Sequence, residues 1–427
     1  MNSVHSIAIE DFWGNHSLSI TFHEDVNFLI GINGSGKTTV INLIAAVLTA
    51  DFETLDRYEF RSIEIKLKSG KTRPRVEVVK NKGKQLFPDI EYRIFDTAGT
   101  SAAVYSLSDL EEQYAIRGLR NMPRSLYEQR VRQLTHSKGL LQHLRQLVNV
   151  RWLSVNRAEL SRTIKEEHGV ESTVDQKLMH LTQQLAIFFG SLSGEAEKEV
   201  KKFQKTFFVS IVPPKDERKT LWDGKTYDLA KENAALQEIY NRFQVDVSEY
   251  KDHLDEYFNA TKASIAKIRN NNEFAIEDVA NILYIRRIHD LVQKWEVSTR
   301  ELERIYAPRD RFLEILNELL QRKKILLGKQ NELLVKTESG KEFPVTLLSS
   351  GEKQLLIILG EALLQTDNVW VYIADEPELS LHVRWQELLI SSIRRVNKNA
   401  QIVVATHSPD IVSIFDNKVF DMEDVLK

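Results

Sequence analysis

Cysteine is absent from all 427 residues. That excludes a disulfide framework and any thiolate-held zinc or iron–sulfur centre, and it fits a reducing compartment, the cytoplasm by default. An excess of one charge is missing too: 58 Lys and Arg face 61 Asp and Glu, so any surface for a polyanion must be a local patch. The first eleven residues lack the basic-then-apolar order of an export signal. No run approaches the roughly 20 consecutive apolar residues a membrane helix needs. These absences predict a chain with no membrane partner. There is no internal repeat and no low-complexity tail. What is present, 42% hydrophobic residues in a chain of this length, suffices for one large or two ordinary folded domains.

Short apolar runs separated by turns predict strands over Ser6–Ile9, Leu18–Phe22, Val26–Ile30, Glu64–Leu67, Val76–Val79 and Glu91–Phe95. One helix interrupts them, with Val40, Ile41, Leu43, Ile44, Val47 and Leu48 at helical spacing. Residues 106–326 then read as mainly helical, with a strand near 150–155 and breaks expected at Pro123, Pro213–Pro214 and Pro308. The clearest helix of this stretch follows Pro308, where Phe312, Ile315, Leu316, Leu319 and Leu320 share a face. Leu229, Leu236 and Phe243 repeat at seven but do not persist, so a compact helical lobe is expected rather than a long coiled coil. Strand–helix alternation returns in the last hundred residues, with Glu332–Lys336 and Val345–Leu347 as strands about a turn at Glu338–Lys341. The chain thus divides into 1–105, a helical insertion over 106–326, and 327–427.

Val26–Ile30 runs directly into Gly31-Ile32-Asn33-Gly34-Ser35-Gly36-Lys37-Thr38-Thr39 and the apolar helix. Strand, glycine-rich loop and helix in that order build a phosphate cradle. The glycines let backbone N–H groups curl around an anion at the positive helix end. Lys37 would reach the β- and γ-phosphates of ATP, and the Thr38 hydroxyl would bind Mg²⁺. Gly31, Asn33, Gly34, Ser35, Gly36 and Thr39 complete the expected nucleotide-binding set. A chance glycine-rich turn is the plainer reading, and the full spacing in this context leaves it little room.

Val369–Ala374 is a near-continuous apolar run, as in a strand buried on both faces, and it ends in Asp375-Glu376-Pro377. Alone, such acids are often just a helix cap. Beside a phosphate loop, Asp375 becomes a Mg²⁺ ligand and Glu376 the base that polarises the attacking water. A second apolar strand, Gln401–Thr406, presents His407 at the same sheet edge, 31 residues after Glu376, where a γ-phosphate contact is the better reading of a residue type that is usually structural. Leu348-Ser349-Ser350-Gly351-Glu352-Lys353-Gln354 opens another apolar helix, so Ser349, Ser350, Gly351 and Glu352 form a further candidate anion site or an ordinary cap.

Taken in order, these four motifs resemble the ABC-type ATPase heads of the SMC and RecF class. The resemblance covers both ends of the chain, and it implies an α/β head with a mixed-sheet core and a predominantly helical insertion lobe. It also implies that Ser350 acts in trans on ATP bound by a second copy, giving a homodimer or higher homo-oligomer with composite ATP sites. Leu379-Ser380-Leu381-His382 occupies the place of the family's D-loop. The Ser-Ser-Gly-Glu signature departs from the transporter form. The Q-loop is not placed: Gln85 is weakly framed, and Asn156 or Arg157 could fill the role. The Glu-Pro-Glu-Leu-Ser-Leu-His run and the modest insertion look most like stand-alone ATPases of anti-phage systems, of the Septu and PARIS types. Such ATPases hold a separate nuclease, HNH or Toprim-like. Only 20 residues follow His407, so the nuclease is expected from a partner.

Seven basic residues, Arg117, Arg120, Arg124, Arg130, Arg132, Lys138 and Arg145, stand against one acid, Glu128, over 117–145. DNA or an acidic phage protein could bind there. The thin aromatic content favours a solvated helix face or an intersubunit contact. Three functions compete: a slow regulatory ATPase controlling a nuclease in antiviral defence, a DNA-repair ATPase clamping duplex DNA, and a nucleotide-cemented scaffold. Glu376 argues against the last, because a scaffold has no use for a water-polarising acid.

Overall fold

The computed structural model describes residues 1–70, 72–81, 89–97, 101–106, 139–152, 173–210, 227–270, 273, 275–365, 368–379, 381–412 and 415–427. The strands among these residues form three sheets. β1 (Ser3–Phe12), β2 (His16–Thr21), β4 (Ser62–Lys68), β5 (Arg75–Asn81), β6 (Asp89–Phe95) and β7 (Ala103–Ser106) make an antiparallel sheet in the order β2-β1-β4-β5-β6-β7. β3 (Val26–Ile30), β8 (Asn149–Trp152), β12 (Trp370–Asp375), β13 (Ala400–Ala405) and β14 (Val419–Asp421) make a parallel sheet in the order β14-β3-β13-β12-β8. β9 (Lys323–Leu327), β10 (Leu333–Thr337) and β11 (Glu342–Pro344) form a small antiparallel sheet.

The parallel sheet's central strands are buried along most of their length. Every residue of β13 is buried, as are Val371, Tyr372, Ile373 and Ala374 of β12, which explains why both read as near-continuous apolar runs, with the buried Gln401 of β13 bonded to the Val4 and His23 carbonyls. α1 (Lys37–Thr49) packs on β8, β12 and β13. One apolar cluster joins Val40, Ile41, Leu43 and Ile44 of α1 to Ile7, Ile63, Val76 and Tyr92 of the antiparallel sheet and to Val371, Ile373 and Val403 of the parallel one. α2 (Phe52–Arg57) and α3 (Leu140–Leu147) complete the N-terminal helices described.

Among the described residues, four further helices follow: α4 (Thr173–Ser210), α5 (Leu229–Arg242), α6 (Val247–Arg269) and α7 (Ile276–Leu319). The chain divides into two compact units, Met1–Ala186 with Arg311–Lys427, and Ile187–Asp310. The second unit is the helical lobe, a shorter span than the 106–326 expected from sequence, because β7, α3, β8 and the start of α4 belong with the sheets. Its core gathers Phe203, Leu236, Ile239, Tyr250, Leu254, Phe258, Ile285 and Trp295.

Two expectations are corrected. Pro308 does not end a helix but lies inside α7; the apolar stripe continues across it through Leu302, Ile305, Phe312 and Ile315, all buried, and that packing offsets the lost backbone bond, which costs about 3 kcal/mol. Val345–Leu347 is a 3-10 turn rather than a strand. The ladder to β10 stops at Pro344, which pairs with Leu334 and has no N–H with which to extend a strand. The breaks expected at Pro123 and Pro213–Pro214 lie outside the described residues.

Candidate nucleotide site

β3 delivers the chain into the loop Gly31–Gly36, and α1 starts at Lys37. Gly36 has φ +95°, and a Cβ there would lie 3.0 Å from the Trp13 ring and 3.2 Å from Phe12. Only glycine meets both demands. Among the described residues no side chain caps α1, so its first N–H groups suit an anion. Lys37 is buried, and its Nζ donates to the Gly31 carbonyl at 2.8 Å and the Ile32 carbonyl at 2.9 Å, curling over the loop. Burial pushes this ammonium below its ordinary pKa, while Glu376 and Asp375 oppose the shift.

The adjoining residue brings the two ends of the chain together. Thr38 Oγ1 donates to Asp375 Oδ1 at 3.0 Å. Parallel pairing sets this up: β13 aligns Ala405 with Asp375 of β12 on one side and with Leu29 of β3 on the other. The loops after three adjacent strands therefore open at one edge, the place where α/β sheets bind ligands. Glu376 follows with φ +47°, a left-handed conformation that costs a non-glycine residue on the order of 1–3 kcal/mol and collects at functional sites. Its N–H donates to Ala405 O at 2.8 Å. Its Oε1 lies 3.8 Å from His407 Nε2, and both side chains are about one-third exposed, 33% and 38%.

A hydroxyl and a carboxylate in contact beside a phosphate cradle are hard oxygen donors that suit Mg²⁺. Among the described residues no cluster of three or more His, Asp or Glu could hold a metal by itself. The remaining ligands would come from phosphate and water, as is usual for this ion.

The signature stretch opens α8 (Ser350–Leu363). Ser349 and Glu352 cap the helix: the Ser349 N–H and hydroxyl each donate to Glu352 Oε2 at 2.8 Å. Lys323 of β9 donates to both Glu352 oxygens, at 2.9 and 3.0 Å. Lys353 pairs with Asp175 of α4 at 2.6 Å. Gln354 Nε2 donates to Pro377 O at 3.1 Å, tying the signature helix to the turn that carries Glu376. Gly360 admits Leu181 of α4 so closely that a Cβ would meet its methyl carbon at 2.7 Å. Of the four residues assigned to nucleotide from sequence, Ser349 and Glu352 are thus engaged with each other, Gly351 is buried, and Ser350 stands exposed at the helix start.

The Glu352 carboxyl shows how this cap responds to acid. Burial would raise its pKa, but the Lys323 ammonium and the two Ser349 donors outweigh burial and hold it below the ordinary 4.5. A depressed carboxyl contributes stability above its unfolded pKa and loses it as pH falls through the folded value. Lys323→Met, which leaves that carboxylate buried without a cation, is expected to cost about 1–3 kcal/mol at pH 7. In paired thermal melts the gap from wild type should narrow below about pH 4. A gap constant from pH 7 to 3 contradicts the assignment.

The sequence reading missed three features of this site. Trp13, 40% exposed at φ +54°, closes β1 against Gly36 and stacks on Phe12 at 4.6 Å. The pair Trp13–Gly14 at a strand end ahead of the phosphate loop was the available signal. Gln354 and Glu378 act through contacts far apart in sequence. Gln85, Asn156, Arg157 and Ser380 lie outside the described residues, as do Arg117, Arg120, Arg124, Arg130, Arg132 and Lys138 of the basic segment. Arg145 is exposed near the end of α3. Among the described residues no helix is long and apolar enough to cross a membrane.

With the phosphate loop towards one end of the sequence and the signature helix, paired acids and histidine towards the other, the layout is that of an ABC-type ATPase head of the SMC- and RecF-like class. The chain belongs to the AAA_15 family, an AAA ATPase domain, whose model matches residues 3–412. In sequence it is similar to the Retron Ec83 probable ATPase of Escherichia coli, 25% identical over 164 residues, 37% of this chain and 30% of that protein. It is also similar to the DNA double-strand break repair Rad50 ATPase of Saccharolobus solfataricus, 27% over 135 residues, 30% of this chain and 14% of that one. The Retron Vc95 probable ATPase of Vibrio cholerae is 30% identical over 87 residues, 18% of this chain and 17% of that protein. The matched stretch therefore spans less than a third of each of these relatives. Among solved structures, the Smc head domain of Pyrococcus furiosus bound to the C-terminal domain of ScpA aligns over 97% of this chain and 92% of its own, at 12% identity and a TM-score of 0.38.

Proposed function

We propose that the chain binds and slowly hydrolyses ATP between paired copies of itself, and that its nucleotide state controls a partner nuclease in anti-phage defence. The observation that carries the ATPase reading is the contact of Thr38 with Asp375 beside the Glu376–His407 pair. It sets a cation-binding couple, a base and a γ-phosphate contact at one sheet edge. Gly31, Asn33, Gly34, Ser35, Gly36 and Thr39 cradle the phosphates, and Lys37 turns from loop carbonyls to the β- and γ-oxygens. Mg²⁺ held by Thr38 and Asp375 would neutralise charge on the triphosphate. Glu376 takes a proton from the attacking water, and His407 orients the γ-phosphate. Phosphate release from ATP and Mg²⁺ tests this directly, and a chain that binds ATP without releasing phosphate would overturn hydrolysis.

Pairing is supported by exposed apolar side chains beside three of the motifs. Ile32 in the phosphate loop is 68% exposed, Leu347 before the signature 68%, and Leu379 after the acid turn 48%. Apolar groups beside polar binding elements suit a surface that is covered when Ser350 meets the neighbour's nucleotide. The defence role rests on the Glu-Pro-Glu-Leu-Ser-Leu-His run, and two retron ATPases among the relatives agree with it. Copurification from the native operon checks it, and a partner without nuclease activity counts against it. The relative named for double-strand break repair supports a second reading, ATP-dependent DNA clamping, which predicts DNA affinity that rises with ATP and falls steeply with salt.

Trp13 offers a ring face at the helix start that receives the phosphates, where a purine base can stack. Trp13→Ala is expected to weaken ATP by about 1–3 kcal/mol, the usual worth of one base–aromatic stack, and to leave inorganic triphosphate binding unchanged. Calorimetric titration with both ligands checks this. An equal loss for both would place Trp13 in loop support instead.

A further inference from the structure

Glu378 is the third acid of Asp375-Glu376-Pro377-Glu378, and no role in the reaction above uses it. Only 5% of it is exposed. Thr406 Oγ1 donates to its Oε1. Its Oε2 is buried with no hydrogen-bond partner among the described residues. Burial pushes its pKa up, and the Thr406 hydroxyl only partly counters this. An acid buried this deeply is costly to keep unless the fold needs it at that position.

The hydrogen bonds around it form a closed ring. The Ser408 N–H donates to Thr406 Oγ1 at 2.9 Å, and the Ser408 hydroxyl to Gln386 Oε1 at 2.8 Å. Gln386 Nε2 donates to Leu381 O at 2.9 Å, and the Leu381 N–H returns to Glu378 O at 2.8 Å. The ring ties three segments: the turn after β12, the residues on both sides of His407, and α9 (Val383–Val396). Outside the ring, Leu379 N–H donates to Glu376 O at 3.1 Å, and Gln354 holds Pro377 from the signature helix. Glu376 keeps its left-handed φ only where its surroundings over-determine it. Through its side chain, Glu378 hydrogen-bonds the strained turn directly to the strand end that leads to His407.

We propose that Glu378 is a positioning residue whose buried carboxyl joins the Glu376 turn and the His407 segment into one rigid unit and so sets the spacing of base and γ-phosphate contact. The role rests on the hydrolysis reading and adds to it a buried residue to which that reading gives no contact with ATP. A small misplacement of reacting groups is costly, on the order of 10²-fold for 1 Å, whereas the phosphate cradle of Gly31–Thr39 lies on another strand and keeps its grip without Glu378.

The test compares wild type, Glu378→Ala, Glu378→Gln and Thr406→Val by phosphate release, ATP affinity and thermal melting. Glu378→Ala is expected to lower kcat at least about tenfold with ATP affinity held within about twofold. Glu378→Gln, whose amide oxygen still accepts the Thr406 hydroxyl, should recover most of kcat. Thr406→Val, which keeps the shape and removes the hydroxyl, should reproduce the alanine loss, and it decides the matter if the alanine chain does not fold. Wild-type kcat in folded Glu378→Ala or in Thr406→Val overturns the positioning role alone. A loss of ATP affinity equal to the loss of kcat, or a glutamine chain as poor as the alanine one, overturns it as well. A wild type that binds ATP but releases no phosphate removes the hydrolysis reading and this role with it.

Discussion

Glu376→Gln is expected to bind ATP and Mg²⁺ with the affinity of wild type and to lose hydrolysis by roughly 10²–10⁴-fold, the usual contribution of a general base. The substitution keeps the shape of the side chain and its left-handed backbone, so the turn between β12 and Glu378 stays in place. What it removes is the proposed proton acceptor beside His407, 3.8 Å away. Binding should survive because, in the proposed site, the triphosphate is held from another strand, by Lys37 and the loop glycines. Phosphate release together with nucleotide affinity checks both halves. Undiminished turnover would refute the assignment of the base, and joint loss of binding and turnover would move Glu376 from chemistry to folding.

The parts of this site that the sequence disclosed are those whose local pattern is forced. β3, β12 and β13 are buried along most of their length, so they are apolar apart from Asn27 and Gln401, whose side chains bond nearby backbone, and the polar groups of the site fall at or just beyond their ends. The phosphate loop declares itself because the close approach of Trp13 and Phe12 to Gly36, together with its positive φ, admits only glycine. Other features depend on contacts that no local window contains. Pro308 sits inside α7 because buried residues on both sides outweigh one missing bond. β9 reads as the tail of the preceding helix, although Asn317 bonds both the N–H and the carbonyl of Ile325 and turns the chain back. Glu352 reads as a nucleotide contact until Lys323, 29 residues earlier, is seen to hold it. Glu378 is indistinguishable in sequence from any acid after a Walker-type strand, and only its burial against Thr406 gives it a task.

Shared sites are the claim on which the rest depends, and mixing two defective chains measures sharing most directly. Lys37→Ala removes the ammonium from the phosphate loop, and Ser350→Arg blocks the exposed signature serine. Each chain alone is expected to be inactive. In a dimer of one chain of each kind, one composite site carries both defects and the other carries neither, so an equal mixture should recover about a quarter of wild-type phosphate release if pairing is random and two-fold symmetric. Recovery near that level, appearing only on mixing, is the predicted result. Verified mixed dimers that remain as inactive as either parent would contradict the account, because Lys37 and Ser350 would then serve the same nucleotide within one chain or different ligands altogether.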